Sequence, residues 1–242
     1  MLEVQSFHHK STCAYSHLIH DSTTREAAVI DPVMDYDPIT GRISYEFIDR
    51  IIAVIVQNQL SLKWSLETHV HADHFTASQY LKEKLGAKLV ISKNVQIVQE
   101  HFDSLYDLNS HQEPIFDVLV NDADTLKLGG LDITVLNTPG HTPACVSYLI
   151  NDVEECVVFV GDTLFMPDKG TARCDFPGGD ATTLFESMET ILSLPDDTRL
   201  FMCHDYAPGG REYLWESTVA ASKASNIHLA GKTKAEFIDM RT

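Results

Sequence analysis

The chain has 242 residues, 44% of them apolar, which suits one large globular domain over residues 1–242. With 35 acidic against 18 basic side chains the formal charge is −17, which argues against nucleic acid or an anionic membrane surface as partner, since both are recognised through basic patches. No apolar run approaches the ~20 residues of a membrane span, and residues 1–10 lack the basic-then-apolar order of a signal peptide, so the chain reads as cytoplasmic.

In chain order, β-rich runs at 15–19 and 27–30 come first, the second stopped by Asp31-Pro32. Residues 34–44 read as an insertion, and 45–60 as a helix with Phe47, Ile48, Ile51, Ile52 and Ile55 on one face. A short strand at 64–67 delivers the segment Thr68-His69-Val70-His71-Ala72-Asp73-His74. A helix at 76–85 follows, closed by Gly86. Strands are predicted at 88–91, 125–128, 131–136, 146–150, 156–160 and 199–202, with helices at 180–194 and 212–225. Strands and helices in two successive sets predict two sheets faced by outer helices, an α/β four-layer αββα sandwich. Five cysteines (Cys13, Cys145, Cys156, Cys174, Cys203) are an odd number without paired spacing, which argues against a disulfide framework and leaves at least one thiol free in a monomer.

The 68–74 segment packs three imidazoles and a carboxylate into six consecutive residues, the composition of a metal site. Side chains two apart on an extended chain share a side, so His69 and His71 are expected to face one pocket, with Asp73 and His74 aimed at a neighbouring position. Three further apolar strands end in ligand-type residues: His141, Asp162 and His204. Strand ends hold ligands rigidly, and Gly140 and Gly161 are expected to let the backbone approach an ion.

The segments THVHADH (68–74), TPGHTP (138–143), VGDTLF (160–165) and CHDY (203–206), in this order, resemble the metallo-β-lactamase superfamily over most of residues 4–228. Within it the chain is similar to the persulfide dioxygenase branch, through Thr12-Cys13-Ala14-Tyr15, Ile30-Asp31-Pro32-Val33, residues 170–176 and His204-Asp205-Tyr206. The resemblance implies the metallo-β-lactamase fold and offers two chemistries on one ligand set. As a dioxygenase, the chain would hold one Fe(II) on His69, His141 and Asp162, the two-His, one-carboxylate face that leaves positions open. His71, Asp73, His74 and His204 would then orient those ligands from behind. The reaction implied is oxidation of glutathione persulfide by O₂ and water to sulfite and glutathione. As a thioester hydrolase of glyoxalase II type, one Zn(II) would sit on His69, His71 and His141, and a second on Asp73, His74 and His204, with Asp162 bridging.

The ligand list excludes neither chemistry. Length favours the dioxygenase, because glyoxalase II carries a sizeable helical domain after its last His and only 38 residues follow His204 here. The branch usually continues beyond the segment matching 233–240, a departure of this sequence from the family pattern that leaves all the metal-ligand candidates upstream. A homodimer is implied by resemblance alone. Arg173 is expected as a fork for a substrate carboxylate, with Arg211 the weaker candidate. Beside Arg173, Cys174 would have a depressed thiol pKa suited to persulfide sulfur, or be an ordinary loop cysteine. Tyr206 would place a hydroxyl near substrate or metal, or serve structure. Cys203 should alternate away from the site into packing, and His8, His9, His17, His20, His101, His111 and His228 are read as surface residues.

Overall fold

The computed structural model describes residues 1–106, 115–153 and 155–242, so His111 lies outside the described residues. The N-terminal half contains β1 (Leu2–His9), β2 (Ala14–Asp21), β3 (Glu26–Ile30), β4 (Val33–Asp37), β5 (Arg42–Ser44), α1 (Glu46–Gln57), β6 (Ser61–Leu66), β7 (Phe75–Thr76), α2 (Ser78–Leu85), β8 (Lys88–Ser92), α3 (Val95–Tyr106) and β9 (Val118–Val120). The C-terminal half contains β10 (Thr125–Leu128), β11 (Leu131–Asn137), β12 (Val146–Asn151), β13 (Cys156–Phe159), α4 (Ala181–Leu192), β14 (Arg199–Phe201), a 3₁₀ turn at Pro208–Gly210, β15 (Glu216–Thr218), α5 (Val219–Ser225) and α6 (Lys234–Arg241).

Two six-stranded mixed sheets result, in the orders β1-β2-β3-β6-β8-β9 and β10-β11-β12-β13-β14-β15. Alternation along the strands decides how they stack. Ile19, Ala28, Ile30 and Leu66 of the first sheet meet Ile133, Val135, Tyr148, Ile150 and Phe159 of the second in one buried core. Their neighbours of opposite parity turn outward: Leu18 and Val29 pack on Phe47, Ile48, Ile51 and Ile55 of α1. On the other side Val158 and Leu200 pack on Leu184, Met188 and Ile191 of α4 and on Phe237 of α6. Helix, sheet, sheet, helix is the four-layer order that the alternating sequence predicts.

Three local expectations differ from the structure. The stretch read as an insertion is the hairpin β4–β5, which pairs β4 with β7 into a third, small sheet. The helix expected over 212–225 is only α5, because residues 213–215 run on outside any helix and 216–218 pair with β14 as an edge strand. Thr218 then caps α5 by accepting from the Ala221 amide at 3.1 Å. Lastly, β1, β9 and α3 were not anticipated. β1 pairs only with β2, and its mostly half-exposed residues give little apolar contrast to read.

Candidate metal centre

Each ligand-type residue lies just past the C-terminal end of a strand: His69 after β6, His141 after β11, Asp162 after β13 and His204 after β14. The sheets are stitched together at this end. Tyr15 donates its amide to the Cys203 carbonyl at 2.7 Å, Asp205 to Cys13 at 3.0 Å and Val146 to Thr68 at 2.8 Å. The floor is therefore held by backbone bonds between the two halves.

His69 is fixed by a relay. The Thr68 hydroxyl donates to Asp31 Oδ2 at 2.8 Å, so it accepts from the His69 Nδ1–H at 2.9 Å, which leaves His69 Nε2 with its lone pair for a metal. Likewise His141 donates Nδ1–H to the Arg173 carbonyl at 2.8 Å and keeps Nε2 free. Both nitrogens face Asp162 Oδ2, at 3.9 Å from His69 and 3.7 Å from His141. Two ligands of a tetrahedral ion with ~2.1 Å bonds stand about 3.4 Å apart, so a small contraction closes this set on a metal. Asp162 Oδ1 faces the other way, 3.7 Å from His204 Nε2, which is itself 3.5 Å from Asp73 Oδ2.

Among the described residues four overlapping sets of donor atoms lie within 4.8 Å of one another: His69, His141 and Asp162 form the first, His71, Asp73, His74 and His204 the second, while Asp31, His71 and Cys203, and Asp162, Cys203 and His204, form two more. Half of the buried polar side-chain atoms without a partner among the described residues belong to these donors, namely Asp162 Oδ1, both ring nitrogens of His204, His74 Nε2 and His71 Nδ1. Unpaired buried donors and acceptors are costly, and a cation satisfies this combination, so the residues fit a metal. Burial, then the neighbouring imidazoles, holds His69 well below its ordinary pKa, and burial takes His74 to about 2. Both are neutral, as ligation requires.

His71 packs beside His69, ring centroids 4.1 Å apart, but its donor atoms stand outside the set of His69, His141 and Asp162. β6 ends at Leu66, so the two-residue period no longer applies, and His71 Nε2 donates to Asp31 Oδ1 at 3.1 Å with Glu67 Oε2 at 3.5 Å. Burial opposes charge on both partners, yet the attraction wins: His71 lies well above its ordinary pKa and Asp31 below its own. From the sequence Asp31 reads only as a strand stop and as part of a branch motif, not as the acceptor for His71 and Thr68. It stands at φ 49°, a left-handed position that Asp tolerates better than most, and also accepts from the Thr68 amide at 2.8 Å.

The two glycines lie directly before His141 and Asp162 and are packed against protein. A Cβ on Gly140 would lie 2.3 Å from Leu184 Cα in α4, and one on Gly161 would lie 2.7 Å from the Thr68 hydroxyl. They let a helix and the His69 relay come close. Cys203 also departs from expectation: β14 has ended at Phe201, alternation is lost, and its thiol lies within 4.8 Å of donor atoms of Asp31 and His71. Burial holds it protonated.

The first group of donors opens into a cavity of about 680 Å³. Phe165 and Phe176 form apolar walls, the latter edge-on to His141 at 5.0 Å. Tyr206 lines it too, stacked on His204 at 5.8 Å, and burial keeps its phenol protonated. Arg173 lines the cavity but already holds Asp175 in a two-bond ion pair. Arg211 is committed to Asp168 and Asp205 and lies outside the lining. The thiol of Cys174 packs in the apolar cluster under α4, and burial pushes it up to about 11, opposite to the depression expected beside Arg173. Nor are the remaining histidines all surface: His9 and His17 are buried, and His228 lines the cavity with Lys169 and Arg241. Those three come from distant parts of the chain and have no local motif.

Among the described residues no helix is long and apolar enough to cross a membrane. The profile of the metallo-beta-lactamase superfamily matches residues 14–204. The chain is 46% identical over 251 residues to a probable metallo-hydrolase of Burkholderia pseudomallei, covering 100% of this chain and 85% of that protein. It is 33% identical over 197 residues to the mitochondrial persulfide dioxygenase ETHE1 of Homo sapiens, covering 81% of this chain and 65% of the relative. It spans about half, 55%, of the beta-lactamase hydrolase-like proteins of Xylella fastidiosa that it matches. Among solved structures, ETHE1 from Myxococcus xanthus superposes with a TM-score of 0.78 at 32% identity, over 99% of this chain and 89% of that one. Profile, relatives and fold agree: the chain belongs to the metallo-beta-lactamase superfamily, with ETHE1 proteins among its relatives in both sequence and structure.

Proposed function

We propose that this chain is a persulfide dioxygenase that holds one Fe(II) on His69, His141 and Asp162 and oxidises a low-molecular-weight persulfide, glutathione persulfide being the substrate favoured. The observation that carries the reading is the grouping of donor atoms, in which two imidazoles and one carboxylate form a set from which His71 is absent. A two-zinc hydrolase needs His71 beside His69 and His141; here its Nε2 is held by Asp31, its Nδ1 alone is left for a metal, and no donor atom of His71 belongs to the set of His69, His141 and Asp162. Likeness to the human persulfide dioxygenase and to the Myxococcus ETHE1 structure supports the same reading.

A ferrous ion bound there would supply the one-electron chemistry that lets a sulfur donor and O₂ react, which redox-inert zinc lacks. Overall, persulfide, O₂ and water give the thiol, sulfite and two protons. The protein's contribution is placement. The Asp31–Thr68 relay and the Arg173 carbonyl fix the two imidazoles, while Asp162 adds the charge that favours a divalent cation. Phe165 and Phe176 keep water from the reacting sulfur, and the Tyr206 phenol is a protonated donor at the rim.

A second reading, hydrolysis of a glutathione thioester by one or two Zn(II), draws support from the completeness of the His71, Asp73, His74 and His204 group and from the hydrolase name of the Burkholderia relative. An oxygen electrode separates them. Glutathione persulfide should drive O₂ uptake with sulfite formation. No uptake, with turnover of S-lactoylglutathione, would reverse the assignment.

A further inference from the structure

The charge balance of the cavity is uneven. Of its lining cations, Arg173 is neutralised by Asp175, whereas Lys169 and Arg241 form no ion pair among the described residues. Arg241 is half-buried and bonded only to neutral acceptors. Its Nε donates to the Thr171 hydroxyl at 3.1 Å, and its Nη2 to that hydroxyl at 2.7 Å, to the Thr171 carbonyl and to His228 Nδ1 at 2.6 Å. Nη1 donates to nothing among the described residues. A guanidinium taken from water without a counter-charge is held at a cost that an incoming anion would offset.

The surroundings make this a built site. Ile227 donates its amide to the Pro167 carbonyl at 2.9 Å, and the Asn226 side chain donates to the Gly170 carbonyl at 3.0 Å. Gly170 has no Cβ, and one placed there would lie 2.1 Å from His228 Nδ1, so the imidazole seats directly on the loop that carries Lys169. Lys169 Nζ sits 4.6 Å from the centre of the Tyr206 ring. The cavity's carboxylates are Asp73 and Asp162 of the donor groups and Asp168, which Arg211 holds, so in a chain of formal charge −17 Lys169 and Arg241 are lining cations left without an ion pair among the described residues.

We propose that Lys169 and Arg241 form an anion subsite that takes a carboxylate of the substrate's thiol carrier while its sulfur is directed to His69, His141 and Asp162. The subsite rests on reading the cavity as the site of a low-molecular-weight thiol derivative, and it selects carriers with a carboxylate tail over neutral thiols. Arg241 holds its fork through Thr171 and His228, and Lys169 adds a second, mobile donor.

Calorimetric titration of the metal-loaded protein with glutathione, and with its diethyl ester in which both carboxylates are masked, tests this without turnover. The ester should bind about tenfold more weakly than glutathione. R241Q and K169Q should each weaken glutathione binding about fivefold or more and leave ester binding unchanged, with R241K intermediate. Because the Lys169 side chain makes no hydrogen bond among the described residues, K169Q remains informative if R241Q unfolds. In kinetics the loss should fall on KM for glutathione persulfide with kcat nearly constant. Equal affinity for glutathione and ester, unchanged glutathione affinity in both variants, or no glutathione binding by the parent protein would each overturn the subsite. Failure of O₂ uptake with glutathione binding intact would instead overturn the dioxygenase reading and leave the subsite standing.

Discussion

His71 Nε2 donates to Asp31 Oδ1 at 3.1 Å, and the same carboxylate accepts from the amide and the hydroxyl of Thr68. One buried side chain thus fixes the His71 ring through Nε2 and, through Thr68, aims His69 into the first donor group. Asp31→Ala leaves a buried imidazole and a threonine without their acceptor. It should cost about 3–5 kcal/mol of stability, read from urea denaturation, and lower metal content as His69 loses its orientation. Full metal occupancy in a stably folded Asp31→Ala would show that the relay is not what positions His69.

Asp162 is the one carboxylate facing both donor groups, through Oδ2 to His69 and His141 and through Oδ1 to His204. Asp162→Ala should empty the centre of metal under either chemistry. His74→Ala removes a nitrogen of the second group only, so elemental analysis should still find substantial iron. Complete loss of iron from His74→Ala would contradict the three-ligand assignment.

His17 gives an acid limit that has nothing to do with the metal. It is buried, its Nε2–H donates to the Met202 carbonyl at 3.0 Å and its Nδ1 accepts from the Ser6 hydroxyl at 2.8 Å, a neutral tautomer with both nitrogens used. Burial brings its pKa to about 4. Above pH ~6.5 the folded and unfolded chains bind the same number of protons here; as pH falls towards 4 only the unfolded chain gains one. The folded state should lose about 3 kcal/mol across that window from this group alone. His17→Gln should start less stable at pH 7 and show a shallower decline of the urea midpoint down to pH 4, and an unchanged slope would refute the attribution.

Gly140 stands at φ 134° with the backbone of Leu184 where its Cβ would be, and His141 is the next residue. Gly140→Ala should push α4 from the second sheet, on the order of 3 kcal/mol, and weaken metal binding by displacing His141. Thermal melting with and without bound metal would report both effects, and a variant that melts like the parent and keeps its metal would count against this packing.

What was legible in the sequence was what is local. Strand parity gave the four layers, and ligand-type residues beyond apolar strands gave all seven donors, because alternation and strand ends are written in neighbouring residues. Period two misled at His71 and Cys203 because both lie past the point where their strands stop. Gly140 and Gly161 announced a close approach without saying of what, and the answers, Leu184 and Thr68, lie 44 and 93 positions away. His228 and Arg241 were invisible for the same reason: they meet Thr171 only when α6 folds back, 57 and 70 positions along the chain. Cys174 shows the converse. Adjacency to Arg173 suggested a reactive thiol, but the two side chains part, one to solvent and the other under α4.

The central claim is that the seven donors hold one redox-active ion on three of them. Its most direct test is metal stoichiometry by elemental analysis of the native protein, purified without added metal. One iron per chain is the result expected, and two zinc ions per chain would contradict it.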